Sequence, residues 1–236
     1  RLIPQKRMYL FFDEIQRVDN FEEVVDSFFI NPLADIYITG SNSSILSGEL
    51  ATYLSGRYVE IKMQPFSFKE FTGAKNLDQN LPASYRKYLE NSSFPYSLFI
   101  EKSGIKDYLE SLYNTILVKD IISRKKITDV FFLESVTEFI FDNIGLEVSS
   151  KKIADTMSSN GRKIDSRMVE NYLSALTETY MVYKVKRYNI KGKEYLKSLE
   201  KYYAADIGLR NFKLGKKAMD VGHILENIIY LELLRR

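Results

Sequence analysis

The sequence predicts an α/β + α molecule: a small parallel sheet interleaved with helices, then a helical region ending in a helix-turn-helix and a β-hairpin. Three observations predict it. Up to about residue 63, short apolar runs alternate with helix-spaced segments. From Gly104 to about Arg124 the apolar residues recur at helical spacing. After Ser149, two capped helical patterns lead into two strand-like stretches around Lys191-Gly-Lys193.

Met8-Tyr-Leu-Phe-Phe12 is a continuous apolar run, the pattern of a strand covered on both faces. Phe21, Val24, Val25, Phe28 and Phe29 follow at helical spacing, and Asn31-Pro32 ends that helix. Ile36-Tyr-Ile38 reads as a second buried strand, followed by the polar cluster Thr39-Gly-Ser-Asn-Ser-Ser44. A helix is expected from about Ile45 to Leu54, with Ser43 or Ser44 as its cap and Ser55-Gly56 as its stop. Arg57 to Met63 alternates as a third strand. Strands separated by helices predict parallel pairing through crossovers.

Pro65 to Pro95 reads as a connecting region anchored by Phe66, Phe68 and Phe71, with a loop at Asn76 to Pro82. Tyr108, Leu109, Leu112, Ile116, Leu117 and Ile121 form the next helical stripe. A helix from about Leu133 to Asn143 ends at Gly145. Ser149-Ser150 caps a short helix, and Asp165 caps a longer one with Val169, Tyr172, Leu173, Leu176 and Tyr180 on one face. A strand to Ile190 and a returning strand near Lys201 to Ala205 complete the series. Helix, helix, turn, helix, hairpin is the winged helix-turn-helix order.

Composition excludes several chemistries. There is no cysteine among the 236 residues, so a disulfide framework, a thiolate zinc site and a cysteine nucleophile are ruled out together. His223 is the single histidine, which rules out a multi-histidine metal centre. No run of eighteen apolar residues and no signal-like apolar stretch occurs, so a soluble cytoplasmic protein without membrane contact is expected. Net charge is +3, but Met181 to Lys217 holds eleven Lys/Arg against three Asp/Glu, a local +8 that leaves the rest of the chain at −5. Such a stretch is either an electrostatic footprint for phosphate backbones or a solvated face balanced by acidic neighbours.

The sharpest local signal is Phe11-Phe12-Asp13-Glu14, which puts two carboxylates at the carboxyl edge of a sheet, where open α/β folds bind ligands. In phosphate-loop nucleotidases the first such acid holds Mg²⁺ and the second polarises the attacking water. Thr39-Gly40-Ser41-Asn42 ends the next strand and brings hydroxyl and amide groups beside those acids. Arg57, just after a helix stop, suits a charge-stabilising role.

In one order, Leu10-Phe-Phe-Asp-Glu-Ile-Gln16, Ile38-Thr-Gly-Ser-Asn-Ser43, Leu54-Ser-Gly-Arg57, Pro65-Phe-Ser-Phe-Lys-Glu-Phe71, Lys119-Asp-Ile121, Asp142-Asn-Ile-Gly145, Tyr172-Leu-Ser-Ala-Leu176, Lys201-Tyr-Tyr203, Asp206-Ile-Gly-Leu-Arg-Asn211 and Gly222-His-Ile-Leu-Glu-Asn227 resemble the AAA+-like ATPases that carry an uncharacterised C-terminal domain. The resemblance implies ATP and Mg²⁺ as cofactors, with a Walker B pair at Asp13 and Glu14. It also implies a sensor-like polar group at Ser41 or Asn42 and an arginine finger at Arg57. The domains it implies are the C-terminal part of an ATPase core at 1–75, a helical connection at 76–125, a winged helix at 126–210 and the start of a restriction-endonuclease-like domain at 211–236. In that last part Glu226 matches the nuclease fold's first-helix acid, although an exposed helix carboxylate is the favoured reading because the nuclease core strands are missing.

No Gly-x-x-x-x-Gly-Lys-[Ser/Thr] loop occurs and only twelve residues precede Asp13, so the resemblance implies a chain truncated at both ends. A further departure is Asn91-Ser92-Ser93-Phe94-Pro95, where relatives commonly place glycines before Phe-Pro. Two functions follow. One is a Mg²⁺-dependent ATPase coupled to a DNA-binding or effector module. The other is a winged-helix nucleic-acid-binding or protein-interaction protein for which the ATPase fold is scaffold. Its contacts would be Lys163, Arg167, Lys184, Lys186, Arg187, Lys191 and Lys193, and its partners DNA, another protein or a second copy of the chain. A nuclease reading requires sequence that is absent here.

Overall fold

The structure is a computed structural model, and it describes residues 6–30, 32–41, 43, 56–74, 80–159, 163–186, 199–215 and 220–236. The chain forms two compact units, Arg1–Lys62 and Met63–Arg236.

In the first unit, strand β1 (Met8–Phe12) pairs in parallel with β2 (Ala34–Ile38), in the register Met8↔Ala34 to Phe12↔Ile38. Helix α1 (Phe21–Phe28) lies between them in sequence, as a parallel pair requires. Ile15, Phe21 and Val25 are buried, with Phe12 and Ile38 packed against them. Coverage on both faces of β1 is not found among the described residues. Tyr9, Phe11 and Tyr37 are exposed on the other face, where the Phe11 and Tyr37 rings stack at 4.8 Å. The third strand expected at Arg57 to Met63 is not formed either. No strand pairs with it among the described residues, and Val59, Ile61 and Met63 stand exposed, so alternation without a ladder left it irregular. The helix expected at Ile45 to Leu54 lies outside the described residues.

The second unit holds the larger core. Its first helix α2 (Phe68–Ala74) buries Phe71, with Phe66 and Phe68 partly buried beside it, which is the anchoring their spacing predicts. Helix α3 (Leu81–Asn91) takes up two residues expected in a loop, because Asn80 accepts from Ala83 N–H and Pro82 sits in the first turn, where a missing N–H is harmless. Helix α4 (Ile105–Thr115) continues as a π-helical stretch, Ile116–Ile122, in which Leu117 and Ile121 keep their place in the core behind Leu109 and Tyr113.

Helix α5 (Val130–Asp142) starts on the Asp129 cap and buries Leu133, Val136, Thr137, Ile140 and Phe141. Strand β3 (Glu147–Val148) follows, then α6 (Ser150–Ser159) and α7 (Ser166–Glu178), capped by Ser149 and Asp165 as their sequences predict. Strands β4 (Val182–Lys186) and β5 (Glu200–Ala204) pair antiparallel, and β3 joins the free edge of β5, giving the order β3-β5-β4. Helices α8 (Ile207–Leu214) and α9 (Val221–Leu234) end the chain.

Two of the motifs turn out to be latches inside this unit. Asp206, fully buried, caps α8 through Leu209 N–H at 2.5 Å and accepts from both the amide and the hydroxyl of Ser93 at 2.6 Å. Burial pushes its carboxyl up, and the Ser93 and Leu209 bonds oppose that shift. Arg210 Nε donates to the Phe141 carbonyl at 2.6 Å, and Asn211 Nδ2 to that of Leu89 at 3.1 Å. Gly208 meets Ser92 so closely that a Cβ there would lie 2.4 Å from Ser92 N. Ser92 itself has φ +106°, a backbone state that favours glycine. In the second latch Asn227, fully buried, accepts from Ala204 N–H at 2.8 Å and donates to Ala204 C=O at 2.9 Å. The β3–β5 ladder ends at Glu147↔Lys201, so this amide meets backbone groups that β3 does not reach.

Candidate functional site

The parallel register puts the ends of β1 and β2 side by side. Thr39 N–H donates to Phe12 C=O at 2.9 Å, so residue 39 arrives next to residue 13. The Thr39 hydroxyl donates to Asp13 Oδ1 in a short bond and accepts from Glu14 N–H at 3.1 Å. One residue further on, Glu14 takes φ +49°, ψ +45°, a left-handed state costing a non-glycine residue about 1 kcal/mol. That state opens the single turn Ile15–Arg17, closed by Arg17 N–H on Glu14 C=O at 3.1 Å.

The turn carries Gln16 back beside Glu14. Glu14 Oε2 accepts from Gln16 Nε2 at 2.5 Å and from Ser41 Oγ at 3.1 Å. Asp13 is exposed, whereas Glu14, Gln16 and Ser41 are half-buried. Two carboxylates of unlike environment therefore share one sheet edge, one held by Thr39 and the other by Gln16 and Ser41.

Of the residues singled out in sequence, Asp13, Glu14 and Ser41 come together here. Asn42 lies outside the described residues. Arg57 is engaged elsewhere in the same unit: its guanidinium pairs with Asp26 at 2.8 Å and stands over the Phe29 ring at 5.4 Å. Thr39 belongs to the polar cluster expected beside these acids, but the role singled out there fell to Ser41 or Asn42; Gln16 stood in the Leu10–Gln16 motif with no role assigned to it.

Among the described residues no group of three or more His, Asp or Glu could hold a metal alone. A single exposed carboxylate nonetheless fits Mg²⁺, which keeps several waters and takes one or two protein carboxylates plus phosphate oxygens.

In the second unit Lys163, Arg167, Lys184 and Lys186 are exposed, with Lys184 paired to Glu200 at 2.6 Å. Arg187, Lys191 and Lys193 lie outside the described residues. Glu226 is the partly exposed helix carboxylate favoured from sequence, but it is tied to neighbours. It accepts from Lys201 Nζ at 2.9 Å and Tyr203 OH at 2.6 Å, and those two bonds hold its carboxyl below the usual range. A Cβ at Gly145 (φ +73°) would sit 3.3 Å from that carboxyl, so a bare backbone turn makes room for it. No helix among the described residues is long and apolar enough to cross a membrane.

Comparison with known proteins gives two family matches along the chain. Residues 1–72 match an AAA domain, and residues 82–220, more than half of the chain, match a domain of unknown function (DUF8612). An uncharacterized protein of Haemophilus influenzae is 40% identical over 235 residues, covering 98% of this chain and 59% of its own length. An uncharacterized protein of Methanocaldococcus jannaschii is 34% identical over 242 residues, covering 96% of this chain and 53% of its own. The chain thus spans little more than half the length of these curated relatives. It belongs to the family defined by that domain of unknown function, with an AAA-domain segment preceding it.

Proposed function

We propose that this chain carries the metal-binding and water-activating side of an ATPase site, in a protein that couples ATP hydrolysis to its second unit. The observation that supports this best is the pair of unlike carboxylates, Asp13 and Glu14, at the end of β1 beside the hydroxyls of Thr39 and Ser41 at the end of β2. Asp13 is the residue to hold Mg²⁺, and Thr39 fixes its carboxylate. Bound there with ATP, Mg²⁺ would neutralise charge on the phosphates. Glu14 orients a water and takes up its proton as the water attacks the terminal phosphoryl group. Ser41, with Asn42 next to it, contributes the polar group near that phosphate, and Arg57 would have to leave Asp26 to act as a finger.

The test is Glu14→Gln in the full-length gene product. Mg²⁺–ATP binding should persist while kcat falls roughly a hundredfold or more. Asp13→Ala should weaken Mg²⁺-dependent binding as well. Hydrolysis at the parental rate in Glu14→Gln overturns the assignment.

A second reading concerns what the ATPase would drive. The order α5, β3, α6, α7, β4, β5 with sheet order β3-β5-β4 supports a winged helix, and its exposed Lys163, Arg167, Lys184 and Lys186 suit a DNA backbone. Binding of duplex DNA should then weaken steeply between low and moderate salt. Changing Lys184, Lys186, Lys191 and Lys193 together to Glu should abolish it. Salt-insensitive or absent binding in fluorescence anisotropy favours a protein partner for this face.

A further inference from the structure

We propose that Gln16 is a positioning residue for Glu14, an inference that rests on reading Glu14 as the group that activates water. Its side-chain amide turns back two residues, and Nε2 donates to Glu14 Oε2 at 2.5 Å. The other end of that amide, Oε1, is buried and meets no donor among the described residues. Among the described residues no donor reaches the oxygen end, so the bond to Glu14 is what orients the amide. A carboxylate accepts only, so the amide must present its nitrogen to Glu14.

The backbone makes this contact local and rigid. Glu14 is held in its left-handed state by Thr39 from β2 and by the bond from Arg17 N–H, which brings residue 16 back to residue 14. Ser41 Oγ reaches the same carboxylate oxygen from the end of β2 at 3.1 Å. Oε2 thus receives two donors, and Oε1 is left as the oxygen to accept from a water. A carboxylate pinned by one oxygen cannot swing, and a base must sit within hydrogen-bond reach of the proton it takes. Asp13 and Arg17 are the charged residues on either side along the turn, while among the described residues the end of β2 brings the neutral Thr39 and Ser41 to it.

The experiment compares Gln16→Met, Gln16→Glu and Glu14→Gln in the full-length gene product, with kcat and KM for ATP measured separately and Mg²⁺–ATP binding followed by calorimetry. Gln16→Met keeps the volume of the side chain and removes both polar ends. Its kcat should fall roughly ten- to a hundredfold with KM and binding unchanged. Gln16→Glu puts a second acceptor where the donor stood, so kcat should fall at least as far with KM and binding again unchanged, a split that a merely structural role would not produce. If Glu14→Gln stops hydrolysis while both Gln16 variants turn over within twofold of the parent, the positioning role is overturned and the ATPase reading stands. If KM rises with kcat unchanged, Gln16 serves binding and the proposal is likewise overturned. Parental turnover in Glu14→Gln removes the reading and the inference together.

Discussion

Asn227 is the position where a single side chain should matter most to the second unit. Its amide closes two hydrogen bonds, at 2.8 and 2.9 Å, with the N–H and C=O of Ala204, and the residue is fully buried. Asn227→Ala leaves both backbone groups without partners at a place where water does not reach. Each such orphan costs about 1–3 kcal/mol, so a loss of about 3–5 kcal/mol is expected once the small cavity is included. Urea unfolding should show the midpoint falling with the slope unchanged, and the Ala204 amide should lose its protection against hydrogen exchange. Asn227→Asp adds a test of sign. The acceptor toward Ala204 N–H survives, but an ionised oxygen then faces Ala204 C=O, and protonation restores the donor. The folded form therefore holds the proton more tightly than the unfolded chain, whose Asp titrates near about 3.9. Stability of this variant should be closest to the parent below that pH and fall as pH rises through the interval up to the raised folded value. A loss under about 1 kcal/mol for Asn227→Ala, or an Asn227→Asp variant that gains stability with pH, would refute the reasoning.

Other substitutions probe the remaining latch and the half-buried acid. Gly208→Ala should destabilise by about 2 kcal/mol or more, because its Cβ would meet the Ser92 backbone at 2.4 Å, and differential calorimetry reads the fall in Tm. Ser92→Gly relieves the strain of φ +106° but loses the bond that Ser92 Oγ accepts from Phe94 N–H at 3.1 Å, so the two should nearly cancel and Tm should move by less than in Gly208→Ala; an equal or larger fall would contradict this. Glu226→Gln should weaken the unit at neutral pH by no more than about 1 kcal/mol, given its exposure. Because Lys201 and Tyr203 hold the folded carboxyl below its ordinary 4.5, that difference should be complete above this value and vanish as pH falls through the folded one. A gap that persists in acid would mean packing, not charge, is what Glu226 contributes.

Where the sequence was readable, a local rule and the tertiary environment agreed. Ser149 and Asp165 stand at their caps because a side-chain oxygen before an apolar stripe has one favourable use. The parallel pairing of β1 and β2 was legible because a helical pattern separates two apolar runs. Residues 57–63 show the limit of such rules. Alternation there promises a strand, yet a strand exists only where a neighbour supplies hydrogen bonds, and periodicity carries no information about neighbours. The carboxylates of the site were readable from their place after a strand, whereas Gln16 was not. What links it to Glu14 is a left-handed backbone at a glutamate, which nothing in the residue type announces. The partners of Glu226 were hidden for a similar reason: Lys201 and Tyr203 lie 25 and 23 residues away, and the packing of α9 on β5 brings them together.

The bond from Ser93 to Asp206 joins residues 113 apart in the chain. Its consequence is a delay during synthesis. A ribosome adding about 5–20 residues per second needs roughly 6–23 s to make the stretch between them. Throughout that interval the Asn91–Pro95 turn has neither its carboxylate anchor nor the Gly208 backbone that confines it, and Ser92 relaxes to an ordinary conformation. Helices α3 and α4 therefore leave the exit tunnel well before the piece that fixes the turn joining them. Nascent chains halted before residue 206 should expose the Phe71, Tyr88 and Leu89 surface to chaperones, and chains released after it should bury that surface in one concerted step.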